Sequence, residues 1–201
     1  RDGMYAAAGR CEEVEADALA TTRASVLRRN MRAYLLAGIA QVGLYDGEHY
    51  RALIRRLLDN ASFATLGIPF RANALSLTDG QENWFGWGAS TALTLTDAVY
   101  ASGALPLIFP PLETAEGDVL VDGGIRTMVG VAEAVRWGAS RVIAVDVSDL
   151  LDSTTSEWRH TGLVGIHSRV VQVMAEPQRE AILAARAVPT IHIRPDVGAL
   201  P

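Results

Sequence analysis

Three consecutive residues near the middle of the chain, Asp122, Gly123 and Gly124, form the pattern best suited to chemistry. They follow residues 118–121, a short stretch typical of a buried strand. In open α/β sheets, functional groups gather at the carboxyl ends of strands, and Asp122 stands at such an end. The two glycines lack side chains and allow sharp backbone angles, so other backbone can approach the acid closely. Asp-Gly is also common in ordinary turns, so these residues alone leave a catalytic and a turn interpretation open.

Other residues with reactive side chains lack a supporting pattern. Ser90 stands in the segment 88–92, which has alanine where a nucleophile elbow has its last glycine. Ser102 is expected to close a helix end, and Asp146, at the end of another strand, to position a loop. Surface or structural roles are expected for the four scattered histidines: His49, His160, His167 and His192.

The elements that follow Asp122 predict an α/β fold. A helix is expected over 131–137, ended by Gly138, and then an almost unbroken apolar strand over 141–147. Strands of this kind are typically buried on both faces in parallel sheets flanked by helices. Together with the strand ending at Val121 they form a βαβ unit, so we expect both strands in one mainly parallel central sheet, joined right-handed.

Upstream of this unit, the pattern predicts a helix and a β-hairpin. Asp46 is the expected N-cap of a helix with apolar residues recurring every three or four positions. Residues 70–77 and 83–87 predict two strands joined by a turn. Core or hairpin packing is expected for an aromatic cluster in the second strand, with acyl-chain contact as the alternative: Trp84, Phe85 and Trp87.

A short helix is predicted after the hairpin. Thr96 is its expected cap, and Gly103 marks its end. No repeat, linker or low-complexity segment interrupts the chain, so residues 1–201 are expected to belong to one domain.

The composition excludes several classes of function. The net charge is −5 and all 18 basic residues are arginine, so neither nucleic-acid binding nor lysine Schiff-base chemistry is expected. The single cysteine, Cys11, cannot form an internal disulfide, and the paired-cysteine pattern of zinc sites is absent. No apolar run reaches the roughly 18 residues that a membrane span requires. We expect no metal and no cofactor.

Two segments, 101–111 and 119–124, together resemble the patatin-like phospholipase family. In that family a helix ending in Ala-Ser-x-Ala-x-Pro, followed by Phe-x-Pro, precedes a strand and Asp-Gly-Gly. The corresponding runs here are Ala-Ser-Gly-Ala-Leu-Pro, Phe-Pro-Pro and Val-Leu-Val-Asp-Gly-Gly. In looser form the resemblance covers nearly the whole chain. It implies a patatin-like three-layer α/β fold, with a mainly parallel central sheet flanked by helices.

The resemblance also implies a Ser–Asp dyad, in which Asp122 is the base and Gly123 and Gly124 belong to the active-site loop. The family's serine lies in a Gly-x-Ser-x-Gly elbow that residues 1–201 do not contain. Because residues 5–9 resemble the end of the helix that begins at this serine, the elbow and the oxyanion loop are expected upstream of residue 1. Residues 125–130 depart from the asparagine-bearing loop with which the family continues.

The expected function is therefore hydrolysis of lipid carboxylic esters, of the phospholipase A or esterase type. The expected partner is a lipid or another acyl ester, in the cytoplasm, with peripheral contact to a membrane surface left open. A catalytically silent patatin-like scaffold or a lipid-binding protein is the alternative, because of the absent serine and the altered loop. A nucleotide-binding α/β domain is disfavoured, since no Gly-x-Gly-x-x-Gly or P-loop run follows a candidate strand.

Overall fold

A computed structural model describes residues 11–29, 43–147 and 188–195, together with scattered helical positions between 162 and 177. The backbone contacts divide the chain into two compact units, Arg1–Gly123 and Gly124–Pro201. The similarity noted at residues 5–9 lies outside the described residues. Each unit is described separately below.

The described part of the first unit combines helices with a four-stranded sheet of strand order β2-β1-β4-β3. Every pairing in this sheet is antiparallel. The elements are α1 Cys11–Ala20, α2 Arg23–Val26, α3 Gly47–Leu57, β1 Arg71–Ser76, β2 Glu82–Gly86, α4 Leu95–Ser102, β3 Leu112–Glu113 and β4 Val119–Asp122.

Helix α3 begins where the sequence predicts. The Asp46 carboxylate accepts a hydrogen bond of 3.1 Å from the backbone N–H of His49, which satisfies one of the free donors of the first turn. The periodic apolar residues turn inward, and Ile54 and Leu58 are buried. The prediction of a capped amphipathic helix at this position is confirmed.

The hairpin of β1 and β2 is also confirmed. Residues along β1 alternate between partly and fully buried, as a period of two requires, so that Ala72, Ala74 and Ser76 face the core. Strand β4 then pairs with the free side of β1, and β3 with β4.

Helix α4 begins two residues earlier than predicted. Thr94, not Thr96, is the N-cap, because the Thr94 hydroxyl accepts the backbone N–H of Asp97 at 3.1 Å. Thr96 lies in the first turn and is buried. Threonine is a common N-cap residue, so the local pattern allows either position, and the hydrogen bond from Asp97 identifies Thr94 as the cap.

The core of the first unit lies where α4 covers one face of the sheet and α3 packs against α4. Small residues of α4, among them Ala98 and Ala101, are fully buried and let the helix approach the strands closely. Leu95 and Leu120 are almost completely buried, and each contributes about 1.5–3 kcal/mol by burial. This face also holds the candidate site.

The second unit contains α5 Val131–Arg136, β5 Val142–Val145 and β6 Thr190–Ile193 among its described residues. Gly138, at φ 92°, adopts the left-handed conformation that commonly ends a helix. Strands β5 and β6 pair in parallel. Helix α5 and strand β5 agree with the predicted elements.

The predicted sheet arrangement is only partly observed. The α/β class holds, but β4 and β5 lie in different sheets, and the larger described sheet is antiparallel rather than mainly parallel. An apolar run predicts a buried strand without specifying its neighbour, and here the free side of β1 pairs with β4. The expectation that β5 is buried on both faces is wrong for this structure, since Ile143 is 66% and Val145 54% exposed.

Candidate active site around Asp122

Asp122 is the last residue of β4 and is partly buried. It is opposite Ala74 in the register of β1, and its backbone N–H donates to the carbonyl oxygen of Ala104 at 3.1 Å. Two different segments therefore hold the backbone of this residue. One is the central strand β1, and the other is the stretch that follows α4.

Gly123, directly after Asp122, is fixed by close packing. A Cβ built on Gly123 would lie 2.5 Å from Nδ2 of Asn73 and 2.6 Å from its carbonyl oxygen. Gly123 and Gly124 open the 3-10 turn Gly123–Ile125, and neither has a positive φ. The expectation that one of them adopts a backbone conformation costly for other residues is wrong. The requirement for glycine at position 123 is steric.

Asn73 contacts more than this glycine. Its Nδ2 donates to Oε1 of Glu82 at 2.9 Å, and its Oδ1 accepts from the hydroxyl of Ser102 at 3.5 Å. Ser102 thus ends α4, as expected from the sequence, and its hydroxyl is directed at β1. The amide of Asn73 links three elements around Asp122: β2, α4 and the turn after β4.

Tyr50 lies on the same side of the sheet as Asp122. Its ring stacks on Phe109, with 4.5 Å between ring centroids, and its hydroxyl lies so near Gly103 that a Cβ there would be 2.9 Å away. Burial raises the pKa of Tyr50 above its ordinary value, and the negative charge of Asp122 raises it further. The carboxylate and this phenol are therefore electrostatically coupled.

The proline-rich segment after α4 is anchored to the start of α3. The N–H groups of Leu44 and Tyr45 donate to the carbonyls of Leu107 and Ile108, and the hydroxyl of Tyr100 donates to the Pro110 carbonyl at 2.7 Å. Burial raises the pKa of Tyr100 to about 12. These contacts hold the backbone from which Ala104 contacts Asp122.

This geometry gathers the segments in which the sequence resembles a known family. A family model of the patatin-like phospholipases matches residues 3–135, about two-thirds of the chain. The chain belongs to the patatin-like phospholipase family. Membership implies an α/β fold and places the protein among the lipid acyl hydrolases. The matched range includes Asp122 and every residue described around it.

In this patatin-like protein, Ser90, whose segment comes near the elbow pattern, does not form a nucleophile elbow. Ser90 lies in the turn after β2, where its hydroxyl accepts the N–H of Ala92 at 3.3 Å and its backbone bridges to Phe85. A nucleophile elbow connects a strand to a helix by one sharp turn, which this segment does not do. Ser90 is therefore a turn residue.

His49 and His192 each contact a residue other than Asp122. His49 has its Nε2 2.9 Å from the carbonyl oxygen of Ser25, which links α3 to α2. His192 lies 3.8 Å from the carboxylate of Asp146, a pair within the second unit. Asp146 is buried, and its N–H donates to Ile193, so it holds the β5–β6 end together. His160 lies outside the described residues.

The aromatic cluster of β2 divides between core and surface. Phe85 is buried in the core, as predicted, whereas Trp87 is 54% exposed just beyond the strand. Arg71 donates to the carbonyl oxygen of Trp87, so the tryptophan backbone is tied to β1. Core packing thus applies to Phe85, while the indole of Trp87 is open to solvent.

Two of the cavities in the described part of the first unit are not lined by Asp122. One, of about 370 Å³, lies between the start of α3 and residues 110–113; the other, of about 580 Å³, lies between Arg55, residues 60–64 and the start of α4. Across the described part of the chain, no cluster of three or more metal-ligating side chains occurs. Among the same residues, no helix has the length and apolar character needed to cross a membrane.

Asn73, Glu82 and Tyr50 were not predicted as site residues. Each belongs to an element that the sequence identifies, but none lies in a recognisable motif. The glycine at position 123 is a sequence feature that indicates a closely packed neighbour, but the sequence does not identify that neighbour.

Proposed function

We propose that Asp122 is the general base of a Ser–Asp dyad in a lipid acyl hydrolase. The observation that supports it most is the position of Asp122 at the end of a central strand, held by β1 and Ala104 and followed by a glycine at which a Cβ would overlap Asn73. A carboxylate is a weak base, with a reference pKa of about 3.9, so it must be held at fixed distance from the group it deprotonates.

The proposed reaction proceeds in two half-reactions. The serine hydroxyl oxygen attacks the ester carbonyl carbon while Asp122 accepts its proton, and the tetrahedral intermediate expels the alcohol, which takes that proton back. Water then attacks the acyl-enzyme, again giving a proton to Asp122, and the serine leaves and recovers it. The fatty acid and the alcohol are the products, and no cofactor takes part.

The nucleophile in this proposal is the serine that the resemblance places upstream of residue 1, together with the oxyanion loop. We propose that residues 1–201 belong to a single patatin-like domain with those parts. The parallel pairing of β5 and β6 and the exposed apolar side chains of Ile143 and Val145 favour additional strands or helices against this sheet. The proposed substrates are phospholipase A or esterase substrates, reached in the cytoplasm or at a membrane surface.

A catalytically silent scaffold or lipid-binding protein is the second candidate. Residues 125–130, directly after the glycine pair, run Ile-Arg-Thr-Met-Val-Gly rather than the family's asparagine-bearing loop. The two candidates differ in the reactivity of the serine. The silent protein would not react with a fluorophosphonate probe, whereas the hydrolase would be labelled stoichiometrically.

The test uses the complete protein, a short-chain nitrophenyl ester and the variant Asp122→Asn. Its turnover should fall by about 10²–10⁴-fold, because general-base catalysis typically contributes that much. Asp118→Asn is the matched control, since Asp118 flanks the other end of β4 and its carboxylate is occupied by Ser76. Full turnover by Asp122→Asn, or equal losses in both variants, would refute the role of Asp122.

A further inference from the structure

The side chain of Asn73 packs closely against the backbone of the residue that follows Asp122. The register of β1 and β4 ends with Ala74 opposite Asp122, so the next position along β4, Gly123, comes opposite Asn73. The gap between them is smaller than one methyl group, as the 2.5 Å from a Gly123 Cβ to Nδ2 shows. The amide of Asn73 therefore packs directly against the backbone of Gly123, the residue that follows Asp122.

Both ends of the Asn73 amide are held by partners of the right chemistry. Glu82 supplies a carboxylate oxygen 2.9 Å from Nδ2, and a carboxylate can only accept, so the NH2 group must face it. The hydroxyl of Ser102 then donates to Oδ1 on the other side. Glu82 therefore fixes the orientation of the amide, and the long bond of 3.5 Å from Ser102 is consistent with that orientation.

The same amide is tied to the second support of Asp122. Ser102 is the last residue of α4, and two residues later the carbonyl of Ala104 accepts the N–H of Asp122. Asn73 therefore contacts the turn after Asp122 directly and the segment that holds its N–H through Ser102. One side chain thus packs on the turn after Asp122 and is hydrogen-bonded to the end of α4, two residues before Ala104.

We propose that Asn73 is a positioning residue for Asp122. Its amide, held by Glu82 and Ser102, fixes the backbone on which the carboxylate is mounted. This inference rests on the proposed function of Asp122 as the base. Rates of reactions between positioned groups fall by about 10²-fold for a displacement of about 1 Å, so loss of this support should affect turnover more than substrate binding.

The first test compares Asn73→Ala with Asn83→Ala in the complete protein. Asn83 lies on the adjacent strand β2, where its amide donates only a long bond of 3.4 Å to the carbonyl of Gln81. Asn73→Ala should lower kcat by about ten- to a hundredfold with KM unchanged, and slow fluorophosphonate labelling in parallel. Asn83→Ala should match the parent protein in all three quantities.

If Asn73→Ala does not fold, variants in which the amide and the carboxylate exchange positions test the same role. Asn73→Asp places two carboxylates together and should lower kcat. The double variant Asn73→Asp with Glu82→Gln restores a hydrogen bond in which the introduced amide donates to the introduced carboxylate, while Ser102 still donates. Recovery of kcat in the double variant relative to Asn73→Asp supports positioning by this amide.

Asp122→Asn, measured in the same assay, distinguishes a failure of the positioning role of Asn73 from a failure of the base role of Asp122. If Asp122→Asn is inactive while Asn73→Ala keeps the kcat of Asn83→Ala, the positioning role is wrong and the base assignment stands. The positioning role is also wrong if Asn73→Ala raises KM alone, or if the double variant regains its melting temperature without regaining kcat. Full activity of Asp122→Asn overturns the proposed function and this inference with it.

Discussion

Asp122 lies directly opposite Ala74, whose side chain is completely buried in the core. Residues opposite one another in an antiparallel pair project from the same face of the sheet. The side chain of Asp122 therefore projects from the face that α4 covers, with α3 packed against α4. This position explains why the charge of Asp122 raises the pKa of Tyr50 on α3, although several elements separate the two residues in the sequence.

Gly123→Ala should destabilise the protein and reduce turnover. The new methyl group would overlap the amide and carbonyl of Asn73, and overpacking of this kind typically costs about 1–3 kcal/mol. Gly117→Ala is a suitable control, since Gly117 has open space around it but a φ of 86°, which costs about 1–2 kcal/mol for other residues.

Chemical denaturation and ester turnover of both glycine variants check this prediction. Both should lose stability to a similar extent, but only Gly123→Ala should lose turnover, because Gly117 lies in the turn at the far end of β4. Equal turnover in the two variants would contradict the steric role of position 123.

Thr94→Ala should lower the free energy of unfolding by about 1 kcal/mol, the typical value for loss of an N-cap. The hydroxyl of Thr94 accepts the Asp97 N–H, and alanine cannot replace that acceptor. Thr94→Ser keeps the oxygen and should remain close to the parent protein in urea unfolding. A serine variant as unstable as the alanine variant would show that the threonine methyl, not the cap, stabilises α4.

Local elements of this fold can be predicted because their causes are local. The strands β1 and β2 follow from alternation and a turn, and α3 from its cap and period. The partners of a strand depend on distant residues instead. Nothing within 118–121 indicates that β4 adds to the free side of the β1–β2 hairpin rather than to β5.

The candidate site divides in the same way. Asp122 can be identified from its own segment, because an acid at a strand end followed by two glycines is a local pattern. Its neighbours cannot: Ser102 and Asn73 are 29 residues apart and meet only when α4 packs on β1. A polar residue in the middle of a strand, such as Asn73, is a further sequence indication of such a contact.

The bond between Ser76 and Asp118 should make stability depend on acid pH. The Ser76 hydroxyl, 2.6 Å away, is the main cause that lowers the pKa of Asp118 below 3.8. A lowered pKa stabilises the folded protein above that value, and this contribution is lost as the pH falls through the lowered pKa.

Ser76→Ala removes the main cause of the lowered pKa of Asp118. The variant's loss of unfolding free energy relative to the parent protein should therefore be larger near neutral pH than well below pH 3.8. Urea unfolding at several pH values measures this. Ser90→Ala, whose hydroxyl accepts a backbone N–H rather than contacting a carboxylate, should show a deficit independent of pH. A pH-independent deficit for Ser76→Ala would mean that its effect comes from packing alone.

The coupling between Tyr50 and Asp122 can be measured without any enzymatic activity. Burial is the larger cause of the raised pKa of Tyr50 and the charge of Asp122 the smaller, so Asp122→Asn removes only the second. The pKa of Tyr50 should therefore fall in Asp122→Asn and still remain above 10.0. Asp118→Asn removes a charge from the other end of β4 and should leave Tyr50 unchanged.

Alkaline titration of tyrosinate absorbance, with Tyr50→Phe to assign the Tyr50 transition, gives the measurement. Burial of a phenol disfavours its anion, so the transition should stay on the alkaline side of ordinary tyrosines in every variant that folds. If Asp122→Asn leaves the pKa of Tyr50 where it is in the parent protein, the carboxylate does not lie on the face of the sheet that α4 covers. In that case, the site geometry on which the base assignment and the role of Asn73 depend would be wrong, whatever the kinetics of the same variant.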